Sequence, residues 1–186
     1  MDRAAPSVED AIALAAQAHQ GQRYPSPESE PCIFHPLRIM LSFLDPVDQM
    51  AAALHDSVED TDLELHDLVD ADYPAELVAA IDSLTHRAGE SYEDYIERVA
   101  ANEVARRVKI TDLRENLANN RRSPEAPGNA ERIARYDVAL ARLGAPHRDP
   151  SASFPAPVQP VSLIAGSVSV RRDRLVRTVG LGRLEW

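Results

Sequence analysis

The sequence predicts an all-α fold, and three observations carry that prediction. Alanine and leucine supply most of the apolar content, while aromatic residues make up only 5% of the 186-residue chain; this balance favours helices over sheets. Helix-opening signals recur along the chain, each followed by apolar residues at helical spacing. No stretch of residues 1–143 alternates apolar and polar side chains as a half-buried strand does.

The elements follow in order. Ser7-Val8-Glu9-Asp10 has the form of a capping box and opens a helix to about Gln20. Gly21 to Pro31 is a loop rich in Pro and Ser. A helix follows from Pro36 to about Leu44. Asp45-Pro46 is an N-cap with proline at the first helical position, predicting one continuous helix through about Val58. Asp62 is positioned to cap a short helix over 63–71, and Pro74 starts another to about Leu84. Ser91-Tyr92-Glu93-Asp94 repeats the capping pattern and opens 92–101. Helices over about 103–119 and 129–143 complete a bundle of about eight.

Beyond Gly144 the composition changes. Five prolines fall within 146–160, which forbids helix there and reads as a linker. Residues 144–186 carry a balance of +3 against −13 for 1–143. The expected organisation is a compact domain over 1–143 and a Pro-rich, basic, poorly structured tail over 144–186.

Composition also excludes function classes. A formal net charge of −10 argues against a nucleic acid polymer as partner, because phosphate neutralisation supplies most of that affinity. A small phosphorylated ligand stays compatible, since a bound divalent cation reverses the local field. The single cysteine, Cys32, rules out an internal disulfide framework and a Cys-based zinc site. The longest apolar runs are far too short to cross a bilayer, and the first residues have no apolar signal region. The expectation is a cytoplasmic protein with no membrane partner, its oligomeric state left open.

The chemistry lies in His55-Asp56-Ser57-Val58-Glu59-Asp60-Thr61. Placed on the helix opened by Pro46, at about 100° per residue, His55, Glu59, Asp56 and Asp60 fall on one face, with Val47, Met50, Ala51, Leu54 and Val58 opposite. An imidazole beside three mutually repelling carboxylates calls for a cation. His35, at a helix boundary in Phe34-His35-Pro36-Leu37, and Asp112, between Ile110 and Leu113 near a core stripe, add two more candidate ligands. Asn116 shares the face of Asp112. His35, His55, Asp56 and Asp112 together make a mixed N/O set suited to manganese, iron(II) or zinc, with positions left for water.

His…His-Asp…Asp resembles the signature of HD-domain metal phosphohydrolases. The fuller set is similar to the alarmone hydrolase domain of the RelA/SpoT homologues. Its pieces are Ala18-His19-Gln20-Gly21-Gln22, Phe34-His35-Pro36-Leu37, His55-Asp56-Ser57-Val58-Glu59-Asp60-Thr61 and Val108-Lys109-Ile110-Thr111-Asp112. The resemblance spans about residues 8–143. It implies an HD-type helical bundle, a Mn²⁺ ion held by His35, His55, Asp56 and Asp112, and removal of pyrophosphate from the 3′ position of (p)ppGpp, a nucleotide substrate. It assigns Glu59 and Asp60 to orienting and deprotonating the attacking water. Substrate contacts are expected at Arg23, Tyr24, Lys109 and Asn116.

The chain departs from the family pattern in two places. Tyr24 and Pro25 stand where the family carries an Arg-Lys pair that packs on guanine and holds phosphate. Downstream, the usual Asp-Arg-Leu-His-Asn reads Asp112-Leu113-Arg114-Glu115-Asn116. Two alternatives stand beside the alarmone reading: an HD phosphohydrolase acting on another phosphoester, and a non-catalytic module with a structural metal.

Overall fold

The computed structural model describes residues 5–24, 30–122 and 124–144. Among these residues the chain forms nine helices: α1 (Val8–Ala18), α2 (Phe34–Met40), α3 (Pro46–Leu54), α4 (Ser57–Asp60), α5 (Leu65–Asp70), α6 (Ala75–Leu84), α7 (Tyr92–Ala100), α8 (Glu103–Arg121) and α9 (Asn129–Arg142). One isolated antiparallel bridge joins Arg23 to Pro31 across the loop between α1 and α2. The all-α prediction is borne out. The expectation of a poorly structured tail falls, beyond Gly144, outside the described residues, as does Pro25.

The helix starts follow the local chemistry. Ser7 accepts from the Asp10 amide while the Asp10 carboxylate accepts from the Ser7 amide, closing the capping box of α1. Asp45 accepts from the Val47 and Asp48 amides ahead of Pro46. Ser91 and Asn102 cap α7 and α8 in the same way.

Three boundaries differ from the sequence prediction. The single helix over 46–58 is broken into α3 and α4. His55 Nδ1 donates to the Ala52 carbonyl at 2.9 Å, competing for the acceptor that the amide of residue 56 would use in a continuing helix. Helix α2 begins two residues before Pro36, which occupies the first turn, where an absent amide costs nothing. It ends at Met40 in tight turns (Ser42 to Ile39, Phe43 to Met40), with Leu41 and Leu44 exposed and Phe43 half-buried against the core. Asp62 does not cap α5. Thr61 Oγ1 accepts from the Leu63 amide, delaying the helix, and Glu64 takes the N-cap with Asp67 as its reciprocal partner.

Helix α3 is the hub, packing on α1, α2, α6 and α8. Its run Met50-Ala51-Ala52-Ala53-Leu54 is buried throughout, not on one stripe alone. Four neighbours leave no solvent face at its C-terminal half, and three alanines allow close approach. Buried Asp48 anchors α3 to α8 through a two-pronged pair with Arg107, at 2.7 and 2.8 Å. Together these contacts bring the end of α3, the start of α2 and the middle of α8 to one point.

Candidate metal centre

That point is occupied by the four side chains expected from the sequence as ligands. His35 and His55 are buried at 4% and 2% exposure, with ring centroids 5.4 Å apart. His35 Nε2 lies 3.9 Å from Asp56 Oδ2, and His55 Nε2 lies 2.9 Å from Asp56 Oδ1. One ligand atom from each of these three residues fits within a span of 4.8 Å. Asp112 stands outside the trio but closes the cluster, with Oδ1 at 3.0 Å from His35 Nε2 and 3.9 Å from His55 Nε2.

The tautomer of His55 tests whether a metal fits. A carbonyl only accepts, so Nδ1 facing the Ala52 carbonyl carries the proton. Nε2 is then a lone pair within the cluster, and although Asp56 Oδ1 lies 2.9 Å away, this buried atom makes no hydrogen bond of proper geometry among the described residues. An orphaned buried acceptor among carboxylates, with the ring's other nitrogen fixed by a backbone carbonyl, matches the way histidines present to metals. The donor set of two imidazoles and two carboxylates fits a divalent ion.

The electrostatics agree. Burial alone would lower the pKa of both histidines. The Asp112 and Glu115 carboxylates outweigh it at His35 and push its pKa up to about 10, while Asp56 outweighs it at His55. Burial would likewise raise Asp112, but Lys109 and His35 hold its carboxyl far below the usual range. The cluster demands positive charge, and protons or a divalent cation can each provide it.

Glu59 and Asp60 sit differently from the single-helix expectation. With the helix broken at 55–56, Glu59 no longer shares one continuous helix with His55, and its Oε2 accepts the His86 amide at 3.0 Å. Asp60 stays near the cluster: its carboxyl is raised, first by burial and then by Asp56 and Glu59. Its backbone carbonyl accepts from Gln22 Nε2 at 2.9 Å, and Gln22 Oε1 in turn meets His19 Nδ1 at 2.8 Å. The Ala18–Gln22 motif thus braces the acidic turn.

The four expected substrate contacts divide. Tyr24, 37% exposed, stands edge-on to the His35 ring at 6.4 Å and so borders the centre. Arg23 lies beside it, in the bridge to Pro31. Lys109 and Asn116 are engaged with Asp112 instead: Lys109 Nζ is 2.8 Å from Oδ2, and Asn116 Nδ2 donates to Oδ1 at 2.6 Å.

Sequence reasoning missed Glu115 and its partner Arg38 as parts of the centre. Glu115 Oε1 faces His35 Nδ1 at 3.6 Å and accepts from Arg38 Nε at 2.5 Å, while Arg38 Nη1 donates to Glu30 at 2.7 Å. The available signal was spacing: His35 and Arg38 on α2, Asp112 and Glu115 on α8, each three residues apart.

A guanosine-3′,5′-bis(diphosphate) 3′-pyrophosphohydrolase, MESH1 of Danio rerio, is 30% identical to this chain over 138 residues, covering 68% of this chain and 76% of its own length. The chain belongs to the MESH1 family of HD-type hydrolases. No family model matches the sequence. A solved structure, described as a metazoan ortholog of SpoT that hydrolyses ppGpp and plays a role in starvation responses, superposes with a TM-score of 0.64 over 76% of this chain and 88% of the other, at 22% identity. At that identity the superposition speaks for the fold alone: over the matched residues the helices are arranged as in that structure. Among the described residues no helix is long and apolar enough to cross a membrane.

Proposed function

We propose that this member of the MESH1 family is a metal-dependent pyrophosphohydrolase acting at the 3′ position of (p)ppGpp, with Mn²⁺ as its ion and alarmone turnover in the cytoplasm as its setting. The observation that carries the proposal is the orphaned Nε2 of His55, set within the side-chain cluster of His35, Asp56 and Asp112. The substrate class comes from the Danio rerio relative, a pyrophosphohydrolase of this kind.

His35, His55, Asp56 and Asp112 would hold the ion. A divalent ion held there would polarise a phosphoryl oxygen and make water a stronger acid. Asp60, close to Asp56, would take a proton from the attacking water, and Glu59, bonded to the His86 amide, would orient it. The water oxygen bonds to phosphorus, the bond from phosphorus to the 3′ oxygen breaks, and that oxygen takes up a proton as pyrophosphate leaves. Tyr24 borders the cluster as a flat surface on which a base can stack. Lys109 and Asn116 act through Asp112, fixing the carboxylate by its two oxygens.

A screen of the full chain with Mn²⁺ against (p)ppGpp and other canonical and modified nucleotides, reading pyrophosphate and phosphate separately, tests the proposal. Pyrophosphate released from ppGpp, abolished by EDTA, is the expected result. Turnover only of other phosphoesters would replace the substrate and keep the chemistry.

A further inference from the structure

Two rungs tie α2 to α8. In the first, His35 Nε2 meets Asp112 Oδ1 at 3.0 Å. In the second, three residues on along each helix, Arg38 Nε donates to Glu115 Oε1 at 2.5 Å. Glu115 also reaches the first rung. The same Oε1 lies 3.6 Å from His35 Nδ1, the ring nitrogen turned away from the metal pocket. Its side chain is 13% exposed and that of His35 is 6% exposed, so the pair is poorly screened.

We infer that Glu115 is a positioning residue for the metal: it faces the outer nitrogen of His35, keeps the proton there, and so presents Nε2 as the ligand atom. This rests on the proposed metal centre and extends it. The two histidines are then oriented by different devices, His55 by the neutral Ala52 carbonyl and His35 by a carboxylate. A carboxylate behind an imidazole makes its far nitrogen a better donor than a carbonyl does. Glu115 stands where the family pattern has histidine, so this arrangement is a feature of this chain's own sequence. Arg38 shares the carboxylate and draws charge from it. It acts against the effect on His35, while Glu30 holds Arg38 in place from the other side.

Calorimetric titration of chelator-stripped full chain with Mn²⁺, alongside melting in EDTA, tests the inference without reference to activity. The variants are Glu115→Gln, which keeps shape and removes charge, and Arg38→Gln, which breaks the second rung and leaves the carboxylate facing His35. Outer partners of metal ligands are typically worth about 10–100-fold in affinity. Glu115→Gln is expected to weaken Mn²⁺ binding about tenfold with a native-like melt in EDTA, while Arg38→Gln leaves affinity unchanged or tighter. Equal weakening by both variants would show that Glu115 serves only to strap α2 to α8, and unchanged affinity in Glu115→Gln would show that it does nothing for the ion. Either result overturns the inference and leaves the metal centre standing. Absence of Mn²⁺ binding by the unsubstituted chain overturns both.

Discussion

Lys109 sets its ammonium 2.8 Å from Asp112 Oδ2 and 5.3 Å from the centre of the Tyr95 ring. The only lysine of the chain is thereby enclosed between a buried carboxylate and an aromatic face, with 15% of its side chain exposed. Burial would depress the lysine, but Asp112 outweighs it and keeps the ammonium charged well above its ordinary range. Tyr95 is itself fixed, its hydroxyl donating to the Leu84 carbonyl at 2.6 Å.

Lys109→Met removes this cation and leaves Asp112 at 4% exposure with one fewer partner. Breaking a buried pair from one side typically costs about 3–5 kcal/mol. In EDTA, urea unfolding is expected to show a loss of about 3 kcal/mol, toward the lower figure because His35 and Asn116 still contact the carboxylate. A loss below about 1 kcal/mol, the range of an exposed pair, would mean that Lys109 is not part of the support of Asp112.

Mn²⁺ should stabilise the folded chain by mass action. At a hundredfold excess over Kd the gain is about 2.7 kcal/mol, and at about 2–4 °C per kcal/mol for this size the melting temperature rises by roughly 5–10 °C. Asp56→Ala and Asp112→Ala are expected to abolish that rise, since both carboxylates face the two imidazoles. A variant lacking either carboxylate yet showing the full rise would remove that residue from the ligand set.

Glu59 and Asp60 are expected to separate binding from turnover. Glu59→Gln retains an acceptor for the His86 amide, and Asp60→Asn leaves the backbone bond to Gln22 intact, so the fold and the metal-induced rise should persist. Pyrophosphate release should fall by about 10²–10⁴-fold, the usual worth of a positioned acid or base. Loss of Mn²⁺ binding in the Glu59 variant would make Glu59 a ligand.

The turn that presents His86 to Glu59 gives the chain an acid-sensitive element. Arg98 spans it, donating to both carboxylate oxygens of Glu90 at 2.6 and 2.9 Å and to the carbonyls of Asp82 and Thr85. The hydrogen bonds from Arg98 hold the Glu90 carboxyl down at about 2, against an ordinary 4.5. A folded pKa below the unfolded one stabilises only where the carboxylate is ionised. The contribution is therefore present above about pH 4.5 and lost as pH falls toward 2. Glu90→Gln should flatten the decline of stability between those two values, measured by urea unfolding at a series of pH values. An identical slope in both proteins would rule out this linkage.

The fold was legible where local signals act alone. The pairs Ser7/Asp10, Asp45/Pro46 and Ser91/Asp94 set helix starts by short-range bonds, and those starts agree with the structure. The break at His55 was not legible, because it depends on a ring nitrogen taking a main-chain carbonyl, and hydrophobic periodicity carries no trace of that. The same blindness set Glu59 and His55 on one uninterrupted helix. The residue types that gather at the centre could be chosen from chemistry, since two imidazoles and crowded carboxylates call for a cation. Their second partners could not. Nothing local in the sequence joins Glu115 and Arg38 to His35 until α2 and α8 are set side by side.

Base selectivity is where this chain should differ most from its relatives. Arginine offers a guanine both a flat stacking plane and a set of donors. Tyr24 has the plane alone, standing edge-on to His35 at the border of the centre. Cations nearby are already engaged: Lys109 by Asp112, and Arg38 by Glu30 and Glu115. Phosphoryl chemistry at the cluster does not depend on the base, so turnover should persist with a high KM for ppGpp and loose discrimination against adenine analogues. Tyr24→Arg with Pro25→Lys restores the pair that the family carries. An interaction made equally in ground and transition states changes KM and leaves kcat alone. Contacts of this kind are worth about 1–3 kcal/mol, so KM for ppGpp should fall roughly tenfold or more with kcat within about twofold. Strong guanine preference in the unsubstituted chain, together with an unchanged KM in the double variant, would mean that residues other than 24 and 25 read the base.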